Sequence, residues 1–316
     1  MIFCQPIPNT ETRFPRRLLG FLLIILVLAS SGCRCPWSCS NADLAQSSNW
    51  LQGGLQAYHQ GEHLQAQELL AKAAESRPAD PILREHLAEN YLQQGKTSEA
   101  IAELLKASEI SQQDASILVK IGNLYLASGQ QIPAQQYARK ALATDRQLHT
   151  AWVLNAETKI AKGNLTDALN DYQRALSLKN NSPEIQLKIA ELQQLLGRPL
   201  RALSTVEQML AQIPEATQPE QALMLSSHLL MQLKQPAQAI DKLKLAVNRD
   251  DASAHAHLQL AQAQIAVGQF ETARNTLVVA QQKYPNTTIF ESELAELGSG
   301  KERIAALDVL TNEYVR

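Results

Sequence analysis

The sequence predicts an all-α solenoid of seven helix-turn-helix repeats, and three observations carry that prediction. Ala66, Ala100, Ala134, Ala168 and Ala202 stand 34 residues apart, and Ala239 and Ala273 resume the series after a three-residue slip. Five residues before each alanine come Gly61, Gly95, Gly129, Gly163, Gly197, Lys234 and Gly268, so six of seven units place Gly where a tight turn needs φ > 0. On both sides of each Gly apolar residues fall at helical spacing, as with Leu83, Leu87 and Tyr91 before Gly95 and Ile101, Leu104 and Leu105 after it.

The small residues explain how two helices fit into each unit. Twelve residues before each ladder alanine stand Gly54, Ala88, Gly122, Ala156, Ala190, Ser227 and Ala261. Seven after it stand Ala73, Ala107, Ala141, Ala175, Met209, Ala246 and Ala280. Small side chains at a helix crossing let the backbones approach closely. The units run 47–80, 81–114, 115–148, 149–182, 183–216, 220–253 and 254–287, with Thr217, Gln218 and Pro219 as an insertion. Pro236 stands near the start of the second helix of the sixth unit, where proline is tolerated. Residues 288–316 leave the period and read as a C-terminal helical cap: a helix near 289–297, the break Gly298-Ser299-Gly300, and an amphipathic helix over 301–315 with Ile304, Leu307, Leu310 and Tyr314 on one face. Terminal units of a solenoid need a polar outer side to stay soluble.

Trp50 and Trp152 near the start of two units, Tyr91 and Tyr125 on first helices, and Pro78, Pro214 and Pro285 at unit ends complete a pattern that resembles the tetratricopeptide repeat over residues 47–287. The resemblance implies a right-handed superhelix whose first helices line an inner groove, and a non-catalytic role in binding other proteins or peptides. The groove positions it implies are the second, fifth, ninth, twelfth and thirteenth of each first helix. The fifth and twelfth form the pairs Leu51/Tyr58, Glu85/Leu92, Val119/Leu126, Val153/Ile160, Leu187/Gln194, Met224/Met231 and Leu258/Ile265, seven residues apart and so on one face. The ninth positions are Leu55, Glu89, Asn123, Glu157, Glu191, His228 and Gln262, which set carboxylates beside the apolar stripe. Two readings of the stripe stand: it receives a partner segment with apolar and some basic side chains, or it packs neighbouring first helices together. The chaperone-binding subfamily's carboxylate clamp needs Lys at the fifth and Asn at the ninth position. Here Asn123 is present but Val119 is fifth and Lys120 sixth, so the clamp is not expected.

The N-terminus is of another kind. Arg13, Arg16 and Arg17 precede the apolar run Leu18 to Ala29, which is too short for a comfortable bilayer span and suits the h-region of a signal peptide over residues 1–32. Ser30-Ser31-Gly32-Cys33 looks like a bacterial lipobox, with Ser30 where the pattern usually has Leu. It implies cleavage before Cys33, acylation of that residue, and a Cys-containing tether over 33–46. The expected product is a lipoprotein facing the periplasm of a bacterial cell envelope, membrane-bound through its lipid. The alternative is an uncleaved signal anchor, the repeats then serving as the soluble arm of a larger enzyme or secretion complex. Cys35 and Cys39 remain as a candidate disulfide pair.

Charge and motifs exclude other functions. Without residues 1–32, which hold three Arg and one Glu, 26 basic and 30 acidic side chains remain, a formal charge of −4 that argues against nucleic acid as the main ligand, since phosphate binding needs a basic face. Gly95-Lys96-Thr97 ends like a phosphate-binding loop, but Asn90 replaces the glycine five residues earlier, and the tripeptide falls in an inter-helix turn. His59 and His63 are split by the Gly61 turn, and His255 and His257 point to different sides of a helix, so all four read as surface or groove residues. No metal, cofactor, small-molecule substrate or catalytic activity is expected.

Overall fold

The computed structural model describes residues 41–249, 251–295 and 297. Fourteen helices run through them as seven antiparallel pairs: α1 (Asn41–His59) with α2 (His63–Ser76), α3 (Pro81–Gln93) with α4 (Thr97–Ile110), α5 (Ala115–Ala127) with α6 (Gln131–Thr144), and α7 (His149–Ile160) with α8 (Leu165–Leu178). The series continues with α9 (Pro183–Leu195) and α10 (Pro199–Leu210), α11 (Glu220–Gln232) and α12 (Pro236–Val247), and α13 (Ala254–Ala266) and α14 (Phe270–Lys283). No strand occurs among the described residues. The fold is the all-α helical solenoid that the repeat period predicts.

One boundary differs from expectation. α1 begins at Asn41, inside the segment read as tether, and Ser47 on it is fully buried. Neither Pro nor Gly interrupts residues 41–52, and Leu44, Ala45 and Gln46 favour helix, so the helix extends upstream at one backbone bond per residue. The cysteines, the apolar run and the 301–315 segment lie outside the described residues.

Each turn is built in the same way. In the second unit Gly95 N–H donates to the Leu92 carbonyl at 2.9 Å and Lys96 N–H to the Tyr91 carbonyl at 2.9 Å. This pair of bonds closes a helix C-terminus when the residue between adopts the left-handed conformation. Gly95 has φ +73°, and the other five turn glycines lie between +70° and +78°. Lys234 occupies the same place at φ +61° with the same bonds, Lys234 N–H to Met231 at 3.1 Å and Gln235 N–H to Leu230 at 2.9 Å. The sixth unit therefore keeps the turn without the residue suited to it.

The seven ladder alanines are all 0% exposed. They meet the small column of the first helix, where Ala88, Ala156, Ala190, Ser227 and Ala261 are buried as well. Space is tight at the two glycines of that column. A Cβ on Gly54 would lie 2.8 Å from Leu70 Cγ, and one on Gly122 would overlap Leu154 Cδ2, a side chain with no exposed surface in which to retreat.

A second pairing, twelve residues apart, ties the two helices of a unit together and changes chemistry from unit to unit. In the third, the Tyr125 and Tyr137 rings stack with centroids 5.5 Å apart. In the fourth, Lys159 meets Asp171 at 2.6 Å, with Asn155 donating to the same carboxylate oxygen at 2.6 Å. In the fifth and seventh, Thr205 donates to Gln193 at 3.0 Å and Thr276 to Gln264 at 2.9 Å.

The insertion is bonded into the solenoid. Glu215–Thr217 forms a 3-10 turn, Gln218 Nε2 donates to the Leu210 carbonyl at 3.0 Å, and the Arg249 guanidinium donates to the Gln218 carbonyl. Pro236 stands in the first turn of α12, as expected. At the far end residues 289–295 are helical, and Phe290, fully buried, packs with Ala261, Ala273, Leu277 and Ala280.

Two substitutions test this account. Lys234→Gly is expected to raise stability by about 0.5–1 kcal/mol in urea unfolding, since left-handed strain of about 1–2 kcal/mol outweighs the extra unfolded-state freedom of glycine. Gly122→Ala is expected to lower it by about 1–3 kcal/mol through overpacking against Leu154.

Candidate functional site

The first helices of neighbouring units touch one another directly, α1 with α3, α5 with α7, α9 with α11 and α11 with α13. These contacts bring first helices of neighbouring units together on one face. A cavity of about 590 Å³ opens on this face between α5 and α7, lined by Ser116, Val119, Lys120, Asn123, Leu126, Ala127, Thr150, Val153 and Glu157. Its floor is apolar and its rim polar.

The fifth- and twelfth-position residues divide by burial. Val119 is 5% and Leu187 9% exposed, and both are members of the core. Leu51, Leu92, Leu126, Val153, Ile160, Met224, Met231, Leu258 and Ile265 are half-buried and pack against the core clusters of their units. Met224 and Met231, in particular, lie on a cluster made by Ile240, Leu243, Leu260 and Ala263. The stripe is therefore both packing surface and groove floor. Tyr58 is held edge-on between His59 and His63 at the inter-helix turn. Among ninth positions, Asn123, His228 and Gln262 are exposed; His228 contacts Gln232 at 2.9 Å, and Gln262 donates to Glu293 at 2.6 Å.

The carboxylates of the groove are not equivalent. Lys120 of α5 reaches Glu85 at 2.6 Å and Glu89 at 3.4 Å, so the two acids of α3 share one ammonium. These side chains are partly or half exposed, and such a pair contributes about 0.2–1 kcal/mol, enough to set charge register but not to hold the fold. Glu191 meets Lys188 of its own helix at 2.9 Å. Glu157 has no ion-pair or hydrogen-bond partner among the described residues. Burial pushes its carboxyl above the usual range, and Lys188 pulls weakly the other way. Tyr172 of α8, 1% exposed, has its phenol raised by burial first and then by Glu157 and Glu191.

The histidine reading needs one correction. His257 is 6% exposed, its Nδ1 3.0 Å from the Ser253 carbonyl and its ring edge-on to Tyr284, so it is a core residue. Packing of residues 284–290 over α13 encloses it, which local helical spacing does not show. His63 instead joins two units, its ring 3.3 Å from Asn90 Oδ1 while Asn90 donates to its carbonyl at 2.9 Å. Lys96 sits in the turn before α4 with its ammonium 5.9 Å from the Tyr91 ring centre.

Sequence models of the repeat match the chain in several places: a TPR repeat model at residues 88–129 and 157–197, and tetratricopeptide repeat models at 115–148 and 230–296. The chain belongs to the tetratricopeptide repeat family. Among curated proteins none matches it. Solved structures share the fold of this tetratricopeptide repeat protein at low identity. A tetratricopeptide repeat protein from Parabacteroides merdae aligns at 17% identity and TM-score 0.58, over 80% of this chain and 99% of that one. Pseudomonas aeruginosa pilF aligns at 17% identity and 0.56, over 81% and 100%. A chain of the APC/C hetero-tetramer Cut9-Hcn1 aligns at 16% identity and TM-score 0.58, over 83% of this chain and 50% of that one.

Glu157 gives the tetratricopeptide repeat protein a pH signature. A folded-state pKa raised above the unfolded value means that the native chain holds its proton longer, so this contribution is complete below the unfolded value and is lost as pH rises through the folded one. Glu157→Gln is therefore expected to be more stable than the parent at pH 7, with the difference closing as pH falls below the ordinary carboxylate range. Thermal melts across that range check it.

Proposed function

We propose that this protein is a non-catalytic adaptor of the bacterial cell envelope that holds segments of partner proteins in the first-helix groove and is tethered to a membrane through an acylated Cys33. The family supports a protein–protein interaction scaffold. The observation that carries the groove is the cavity between α5 and α7, where the exposed Asn123 and Ala127 stand over the apolar Val119, Leu126 and Val153. An open site with an apolar floor and polar rim is the usual form of a recognition surface. Met224 and Met231 are poor probes of it because they also support the core.

The tether rests on the sequence Ser30-Ser31-Gly32-Cys33 behind its apolar run. Among the described residues no helix is long and apolar enough to cross a membrane. With α1 starting at Asn41, seven residues lie between it and Cys33, a reach of at most about 29 Å fully extended. The repeats then stand close to the surface that holds the lipid.

Two measurements test the reading. Asn123→Trp with Ala127→Trp, which fills the cavity from exposed positions, is expected to reduce crosslinking to native envelope partners by about tenfold with helicity intact; unchanged crosslinking rejects the groove. Mass spectrometry of the mature N-terminus is expected to find an acylated Cys33. An intact chain retaining Arg16 and Arg17 indicates the uncleaved anchor, and a free N-terminus beside Cys33 a released form.

A further inference from the structure

We propose that the cleft between α6 and α7 is a second binding site, on the opposite side of α7 from the groove, for an Asp or Glu side chain of a partner peptide with an apolar residue beside it. The site goes beyond the groove reading and is built from different residues.

The cleft is a cavity of about 350 Å³ whose lining includes Arg139, Leu142, Arg146, Trp152, Asn155 and Lys159. Trp152, Asn155 and Lys159 share one side of α7 at i, i+3, i+7 spacing, and Thr150, Val153 and Glu157, which line the groove cavity, share the other at the same spacing. The two cavities therefore open on opposite sides of one helix. Trp152 Nε1 donates to the Arg146 carbonyl at 2.8 Å, which ties the loop after α6 to the wall of the cleft. Leu142 and Trp152 are half-buried while Arg139 and Arg146 are exposed, so the interior is apolar and the rim cationic.

The repeat shows how the same seam between units is filled elsewhere. Two units on, Glu207 follows its ladder alanine by five residues, as Arg139 follows Ala134, and its carboxylate accepts from Ser226 at 2.6 Å and meets Lys242 at 2.7 Å. In the fourth unit the places of Ser226 and Lys242 are taken by Asn155 and Asp171, so both charges of the pair are reversed. Asp171, however, is engaged within its own unit, by Lys159 at 2.6 Å and Asn155 at 2.6 Å. Arg139 is left at the seam with no side-chain partner among the described residues. Arg146 has none either, and Asp145 beside it accepts the Gln147 N–H at 2.7 Å.

Charge along the chain is uneven at the same place. The third and fourth units hold eight basic and four acidic side chains, and the rest of residues 33–316 hold 18 basic and 26 acidic. Lys162, which donates to Gln135 on the cleft wall, adds to the positive rim. Two unpaired guanidinium groups present forked donors that match carboxylates, and the half-buried indole and Leu142 receive an apolar neighbour. The excess of acid on the other units disfavours an extended anionic surface and leaves a short acidic segment as the occupant.

The test uses the full chain and three fluorescein-labelled, C-terminally amidated peptide libraries with degenerate neutral flanks, read by fluorescence anisotropy at low salt. Their cores are Leu-Glu-Glu-Leu, Leu-Gln-Gln-Leu and Ser-Glu-Glu-Ser. The first is expected to bind about tenfold tighter than the second, as a charge-assisted contact implies, and tighter than the third. Arg139→Gln with Arg146→Gln, both at exposed positions, is expected to bring the first two within about twofold, while Asn123→Trp with Ala127→Trp, which alters the groove alone, keeps the preference. An acidic preference that survives the two Arg→Gln changes, or that is lost in the groove variant, overturns the second site. Equal binding of the Glu and Gln cores, or of the Leu- and Ser-flanked acidic cores, overturns it as well. Binding to vesicles of phosphatidylcholine and phosphatidylglycerol that needs both arginines, with no peptide preference, overturns the peptide as occupant. The groove reading stands or falls separately, on its own crosslinking.

Discussion

The structure depends on the close crossing of two helices within each unit, at a ladder alanine against a small residue. All seven ladder alanines are without exposed surface, and a methyl group on Gly54 would lie only 2.8 Å from Leu70 Cγ of the paired helix. A crossing this tight fixes the depth of each unit, hence the spacing of the next one stacked upon it. Because stability in such arrays is a sum of units and nearest-neighbour interfaces, one crossing repeated seven times matters more than any single large side chain. The few large buried groups, Tyr172 and Phe290 among them, stand between units or at the end of the array.

With the crossing fixed, other positions are free to vary. The pair twelve residues apart is two rings in one unit, an ion pair in another and a hydroxyl with an amide in two more. What the fold requires there is a contact of the right reach. The turn shows the same tolerance within a narrower limit: Lys234 keeps the hydrogen bonds of its glycine counterparts by accepting a left-handed backbone.

The groove inherits its character from this arrangement. Its floor is made by side chains that also support the core, so its apolar residues are constrained, while Asn123, Ala127 and the carboxylates stand on the open side. What varies along it is therefore the charge and shape of the rim. Lys120 satisfies the acids of α3, whereas Glu157 is left partly desolvated and without a counter-ion in contact.

The period, the turn glycines and the small columns lie along the chain at fixed intervals, so the fold class was legible from sequence alone. The signal for the polar pairs, a constant offset of twelve, was present but hidden by their changing chemistry. The start of α1 was not legible, because the repeat pattern fades before residue 47 while helix elongation does not. The burial of His257 and the pairing of Lys120 with Glu85 and Glu89 were decided only by tertiary structure. Each depends on where a neighbouring unit places its side chains. Periodicity determines which residues share a face; the distance between faces, and so which charges meet, is set only when the units stack.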